Sequence, residues 1–353
     1  MGIRFEPSPV YFMHLHKTGG TALGHWLRTG YNGCSYVNLR AERLDYLALA
    51  KLPRFRCFHS WHLGRGLYEL IGRSDLPCIT LLRDPIERAA SALRHHQRTG
   101  LKLPERLTPA YLEQMQPWLT ADMETCIRAG IMDEPLQNAQ TRVLGNRRDY
   151  ARLFRGAAQS DARTLLFSAY PMLNYPWLDM QMPDDDAGNF RRARAWLDEM
   201  AVVGLTERYA ESLLLIGDLL GIPVPVEPPR ANVNPQRIAP AMRYRDQLAS
   251  DVVARLEELN HYDLELYAHA QDRFEQQWAR YQARPQRTYS IAASVRYRLH
   301  HVGEKAQQIV VKQTPLLAQM YVDVRARVKR MVKQTPLLVQ MYTYIIRHWF
   351  PHR

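Results

Sequence analysis

Through the first 280 or so positions, short unbroken apolar runs alternate with longer stretches whose apolar residues recur at helical spacing. The runs Val10–Leu15, Phe55–Phe58, Ile79–Leu82, Thr164–Phe167 and Ala201–Gly204 have strand length. Continuous rather than alternating apolarity marks strands covered on both faces. Helical periodicity falls on Thr21–Arg28, Pro85–Arg98, Pro109–Gln116, Gln137–Leu144, Asn189–Glu199 and Glu207–Leu220. Thr206 is the expected cap of the last helix and Gly221 its stop. Strand–helix alternation of this kind predicts an α/β domain around a parallel sheet.

Two strand-to-helix joins carry candidate chemistry. The first is Tyr11-Phe12-Met13-His14-Leu15-His16-Lys17-Thr18-Gly19-Gly20-Thr21. Gly19 and Gly20 allow a tight turn with exposed amides, and a helix follows. An anion placed there meets unpaired N–H groups, the positive end of the helix dipole and the Lys17 ammonium. A Walker A loop has a different glycine spacing and a lysine after its last glycine. Here the lysine comes first.

The second join is Cys78-Ile79-Thr80-Leu81-Leu82-Arg83-Asp84-Pro85-Ile86-Glu87-Arg88, with Ser91 beyond it. Asp84 reads as a helix cap, Pro85 as the first helical residue and Glu87 as the returning partner of a capping box. Arg83 stands at the strand's carboxyl end. A cation in that position calls for an anion. Ser91, about two turns into the helix, can share a phosphate with the Arg83 guanidinium.

Both joins, in this order, resemble the donor site of sulfotransferases that use 3′-phosphoadenosine 5′-phosphosulfate (PAPS), and most of all the heparan sulfate 2-O/6-O kind of carbohydrate O-sulfotransferase. Segments at Gln137–Arg142, Val203–Glu207 and Leu259–Tyr267 also look like parts of such domains, so the resemblance spans roughly residues 8 to 280. It implies a P-loop NTPase-like three-layer αβα sandwich with a central parallel sheet. It further implies that Lys17, Thr18, Gly19, Gly20 and Thr21 hold the 5′-phosphosulfate and that Arg83 and Ser91 hold the 3′-phosphate. Lys17 would also offset charge on the departing phosphate oxygen. Arg237, in the polar loop after Pro223–Pro229, is the candidate for closing the 3′-phosphate pocket.

Sulfuryl transfer to a hydroxyl also needs a base. Cys57-Phe58-His59-Ser60-Trp61-His62 lies between the two donor motifs, where its side chains can reach the carboxyl edge of the sheet. In the heparan sulfate enzymes a histidine after the corresponding strand is the base, which points to His59, with His62 as the alternative. His14, His16, His59 and His62 together suggest a metal set, but the chemistry requires no metal. Arg142 suits either an acidic acceptor or a neighbouring carboxylate.

Charge changes the picture mainly at the end of the chain. The net charge is +12, and residues 285–353 hold 12 Lys or Arg against two acids, a net +10 that leaves +2 for the rest. This stretch also repeats itself: Val311–Tyr321 recurs at Val332–Tyr342 with an offset of 21 residues. Each copy begins with a threonine cap and a proline, and Leu316, Met320, Val324 and Val328 share one helical face. A basic amphipathic tail (285–353) therefore follows a sulfotransferase domain (1–284). Its readings are packing on this or another copy of the chain, attachment to an anionic membrane surface, or binding of an anionic polymer. No nucleic-acid module is recognisable.

The first strand begins too early for a leader or anchor before it, which suggests a cytoplasmic enzyme, peripheral at the inner face of the membrane if the tail attaches there. Cys34, Cys57, Cys78 and Cys126 have no metal-ligand spacing and read as buried thiols. The expected activity is PAPS-dependent O-sulfation of a carbohydrate or glycolipid hydroxyl. A P-loop-like kinase, or a catalytically inactive membrane- or polyanion-binding protein, stands as the alternative.

Overall fold

A computed structural model describes residues 7–31, 35–39, 54–61, 64–73, 76–102, 120–130, 133–146, 186–225, 229 and 243–284. Five parallel strands form one sheet in the order β2-β3-β1-β4-β5. They are β1 (Val10–His14), β2 (Tyr36–Leu39), β3 (Cys57–Trp61), β4 (Cys78–Leu82) and β5 (Val202–Leu205). Every residue of β1, β4 and β5 is buried, as their unbroken apolar runs require.

Ten helices are described: α1 (Gly20–Gly30), α2 (Gly64–Ile71), α3 (Pro85–Lys102), α4 (Met123–Arg128), α5 (Asp133–Leu136), α6 (Ala139–Gly145), α7 (Asp186–Glu199), α8 (Tyr209–Leu220), α9 (Ser250–Leu259) and α10 (His261–Gln282). Side chains alternate across the sheet. Phe12, His14 and His59 face α1, whereas Tyr11 turns the other way and meets Tyr68 of α2 at 5.1 Å between ring centroids. Trp26 of α1 donates to Pro223 O just beyond α8 (3.2 Å), tying those two helices together on one face. Tyr68 also meets Trp196 of α7 on the opposite face. The result is the expected three-layer α/β sandwich.

Several boundaries differ from the sequence reading. The third strand runs Cys57–Trp61 rather than Phe55–Phe58, so His59 lies inside it instead of after it. Six elements, β2, α2, α4, α5, α9 and α10, had no predicted counterpart; β2 and α2 are four residues of mixed polarity and a glycine-containing eight-residue helix, which carry little periodic signal. Thr206 is not the cap of α8, which starts after Arg208; its hydroxyl is placed to donate to Thr18 O (2.8 Å) and Leu82 O (3.0 Å). Gly221 does close α8, at φ 71°.

Asp84 accepts from the amides of Ile86 (2.9 Å) and Glu87 (3.2 Å), as a cap should. Glu87 does not complete a capping box, however. It receives Arg83 Nη2 and the Arg245 amide, while the Asp84 amide donates to Glu207 (3.1 Å). The segments Thr164–Phe167 and Pro109–Gln116, together with His62, Arg237, Cys34 and the tail 285–353, lie outside the described residues. Cys57, Cys78 and Cys126 are buried.

Candidate donor and acid–base site

The carboxyl ends of β1 and β4 are neighbours, with Met13 level with Thr80, so the two motifs open on the same edge of the sheet. After β1 the chain enters the left-handed region at Lys17 (φ 65°) and again at Gly19 (φ 82°). A lysine there costs on the order of 1 kcal/mol or more, a strain typical of functional loops. No side chain caps α1, which begins at Gly20, so its first turn presents the loop with its positive dipole end. Thr18 Oγ1 donates back to Leu15 O (3.0 Å) and closes the turn.

The second motif is bonded directly to this loop. Arg83 Nη1 donates to Lys17 O (3.2 Å), and its Nη2 lies 3.3 Å from Glu87 Oε2. The Arg83 backbone is clamped by Gln140, which accepts from its amide (3.0 Å) and donates to its carbonyl (2.9 Å). Gln140 is itself fixed by buried Asp263, which accepts from the amides of Gln140 (3.0 Å) and Thr141 (2.7 Å) at the start of α6. Asn138 Oδ1 accepts from the amides of Tyr262 and Asp263. The Gln137–Arg142 and Leu259–Tyr267 segments thus act as scaffold behind Arg83. Arg142 pairs with Asp186 of α7 at 2.8 Å, not with a carboxylate of its own helix.

Ser91 lies half-buried on α3. Its neighbours on that helix face at helical spacing are His95 and Arg98, which the sequence reading passed over although the 4- and 3-residue intervals were visible in it. Burial, then the charges of Arg98 and Arg83, hold the Lys17 ammonium down at about 8. Burial, then Lys17 and Arg98, push the His95 imidazole down to about 4. Lys17, Arg83, Arg98 and His95 therefore form one cluster of basic side chains beside the loop. An anion entering it raises both values, so binding takes up protons.

The sign gives a testable pH dependence. Below about pH 8 the empty site already carries protonated Lys17; above it, binding must first add the proton. Affinity for a multiply charged anion at this loop is expected to fall by up to about tenfold per unit as pH rises through this value. Calorimetry at pH 8.5 in two buffers of different ionisation enthalpy should show net proton uptake, and Lys17→Arg should remove most of it.

The histidines separate into two places. His16, beyond the end of β1, meets the His95 ring at 5.7 Å. His14 Nδ1 lies 2.8 Å from His59 Nε2, and His59 Nδ1 is hydrogen-bonded to the Tyr36 hydroxyl. Both rings are buried, with 3% and 2% of their surface exposed, so His59 does not stand open at the sheet edge as its assumed position after the strand suggested. Phe12 and Trp61 stack on His59 at 4.8 and 5.2 Å. A β-carbon on Gly24 would come within 2.5 Å of His59 Cε1, and one on Gly20 within 2.1 Å of His14 Cδ2. Helix α1 therefore seals the pair from above. Tyr36 sits on the unforeseen β2, which is why its role left no sequence signal. Among the described residues, no group of three or more His, Cys, Asp or Glu is arranged to hold a metal.

No family model matches the chain. It is 25% identical over 305 residues to heparan-sulfate 6-O-sulfotransferase 1 of Homo sapiens, covering 76% of this chain and 66% of the relative. The Gallus gallus protein of the same name is 25% identical over 297 residues, covering 74% and 64%. Heparan-sulfate 6-O-sulfotransferase 1-B of Danio rerio is 26% identical over 302 residues, covering 76% and 66%. The chain thus spans just under two thirds of the length of these relatives. The α/β fold and the two joined motifs agree with these alignments, which show that the chain is similar to carbohydrate O-sulfotransferases.

Proposed function

We propose that this protein transfers a sulfuryl group from PAPS to a hydroxyl of a carbohydrate. The observation that carries the reading is the convergence of Lys17, Arg83, Arg98 and His95 on an uncapped helix start, with Arg83 bonded to the Lys17 carbonyl. A pocket that suppresses the protonation of its own lysine and histidine is built to be completed by a multiply charged anion.

In this reading Lys17, Thr18, Gly19, Gly20 and Thr21 hold the 5′-phosphosulfate, and Arg83 and Ser91 hold the 3′-phosphate, with Arg98 as a further contact. Arg237 remains the candidate for closing that pocket. PAPS supplies the sulfuryl group and a bisphosphate leaving group. As the acceptor oxygen bonds to sulfur, the bridging sulfur–oxygen bond to phosphate breaks, and the Lys17 ammonium offsets the charge left on that phosphate oxygen. The acceptor's proton goes to the buried histidine pair to which His59 belongs, with His62 the alternative to His59 as base. No metal is assigned a role in this transfer. The relatives' names specify heparan sulfate, and a carbohydrate acceptor for this chain is carried over from them.

The basic tail (285–353) is proposed as an attachment to an anionic membrane surface, which would place the protein peripherally at the inner, cytoplasmic face. Among the described residues no helix is long and apolar enough to cross a membrane.

Binding distinguishes this reading from a kinase. The protein should bind adenosine 3′,5′-bisphosphate without metal, and Arg98→Ala should weaken that binding about tenfold, the loss of one charge-assisted hydrogen bond. Mg²⁺-dependent binding of ATP with no affinity for the bisphosphate would overturn the proposal.

A further inference from the structure

The turn between β5 and α8 belongs to neither donor motif, yet it is bonded to both. Thr206 Oγ1 lies 2.8 Å from Thr18 O in the first loop and 3.0 Å from Leu82 O at the end of β4. Leu82 O already accepts a bond from the Thr206 amide (2.8 Å), so the single hydroxyl proton goes to Thr18 O. The next residue reaches the second motif. Glu207 Oε1 accepts from the Asp84 amide (3.1 Å), and its other carboxylate oxygen accepts from the Tyr267 hydroxyl of α10 (2.7 Å). Tyr209 adds a packing contact, because a β-carbon on Gly19 would stand 3.4 Å from its Cε2 and 3.9 Å from the Thr206 methyl. Arg208 anchors the turn from behind, donating to Glu211 (2.6 Å) and to Glu275 of α10 (2.6 Å).

We infer that Thr206 and Glu207 are positioning residues that hold the two anion subsites at a fixed separation, so that the site selects a nucleotide with both a 5′- and a 3′-anionic group over one with either alone. The inference rests on the sulfuryl-transfer reading. A ligand with two anionic groups gains from the second only if its subsite already stands where the first contact delivers it. Otherwise the cost of ordering the loops is subtracted from the binding free energy. A ligand with one anionic group needs one loop and is indifferent to the spacing.

The other link between the motifs, Arg83 Nη1 to Lys17 O, uses a guanidinium that the 3′-phosphate claims in this reading, so that link competes with the ligand. The bonds of Thr206 and Glu207 involve no proposed ligand side chain and persist when Arg83 turns to a phosphate. Helix α10 supports both ends of this ruler. Tyr267 holds Glu207 beside Asp84, and Asp263 fixes Gln140, which clamps the Arg83 backbone.

Competition binding on the full chain tests this with three ligands: adenosine 3′,5′-bisphosphate, adenosine 5′-monophosphate and adenosine 3′-monophosphate. Thr206→Val removes the hydroxyl at nearly constant shape. It is expected to lower bisphosphate affinity about fivefold, the loss of one hydrogen bond, with each monophosphate changed by less than about twofold. The double variant Thr206→Val/Glu207→Ala should lose about 20-fold of the preference for the bisphosphate. Thr206→Ser keeps the hydroxyl and Glu207→Gln keeps an acceptor for the Asp84 amide, so both should retain the preference within about twofold. Thr206→Val decides the matter if the double variant does not fold. A parallel loss for all three ligands, or an unchanged preference in Thr206→Val, overturns the ruler alone. An unmodified protein that binds the bisphosphate no better than either monophosphate overturns the ruler and the two-subsite donor reading together.

Discussion

Lys17→Ala is expected to reduce sulfate transfer by about 10²–10³-fold while leaving the fold intact. The ammonium is the cation of the loop itself, and it is crowded by Arg83 and Arg98 in the empty site. Removing it relieves that repulsion, so the fold is expected to persist at neutral pH. On the proposed mechanism, what disappears is the charge opposite the departing phosphate oxygen, where negative charge would grow most in the transition state. The loss should therefore fall mainly on kcat, and bisphosphate affinity should drop less. A fall in affinity with kcat unchanged would mean that Lys17 only binds. Unchanged transfer would remove the loop from the chemistry.

Asp263→Ala should destabilise the protein by about 3–5 kcal/mol, the cost of stranding a buried charge. Asp263 is fully buried, and its carboxylate lies 3.9 Å from the Arg88 guanidinium, which is 1% exposed. Burial holds the Arg88 guanidinium below its ordinary range, and Asp263 counters that shift. With alanine in its place, Arg88 keeps its bond to Leu136 O (2.7 Å), but the amides of Gln140 and Thr141 lose their acceptor. The damage reaches the donor pocket through Gln140, which clamps the Arg83 backbone. Asp263→Asn keeps an acceptor for one amide and should cost about 1–2 kcal/mol. Urea unfolding checks both, and a loss under 1 kcal/mol for the alanine variant would refute the scaffold role.

The strand–loop–helix join at Lys17 was legible in the sequence because its parts are local. A buried strand, two glycines, a lysine and a helix follow one another within a dozen residues, and the second motif repeats that logic with Arg83. The physical join between the motifs was not legible, since the Arg83–Lys17 bond spans 66 positions. His95 and Arg98 could have been found from their spacing after Ser91. The partners of His59 could not: Tyr36 lies on a four-residue strand without a clear pattern, and the 2.8 Å contact with His14 depends on the pairing of β1 with β3. The boundary of β3 was misplaced because Ser60 and the histidine interrupt the apolar run, although the sheet buries both. Thr206 looked like a cap because it precedes a helical pattern, yet its position at the end of β5 turns its hydroxyl toward the donor loop.

The most direct test supplies the unmodified protein with ³⁵S-labelled PAPS and a desulfated heparan-type polysaccharide in the presence of a metal chelator. The account predicts labelled polysaccharide, formed at a rate that collapses in Lys17→Ala. If no label reaches the polysaccharide from PAPS while ³²P passes to an acceptor from ATP with Mg²⁺, the protein is not a sulfotransferase.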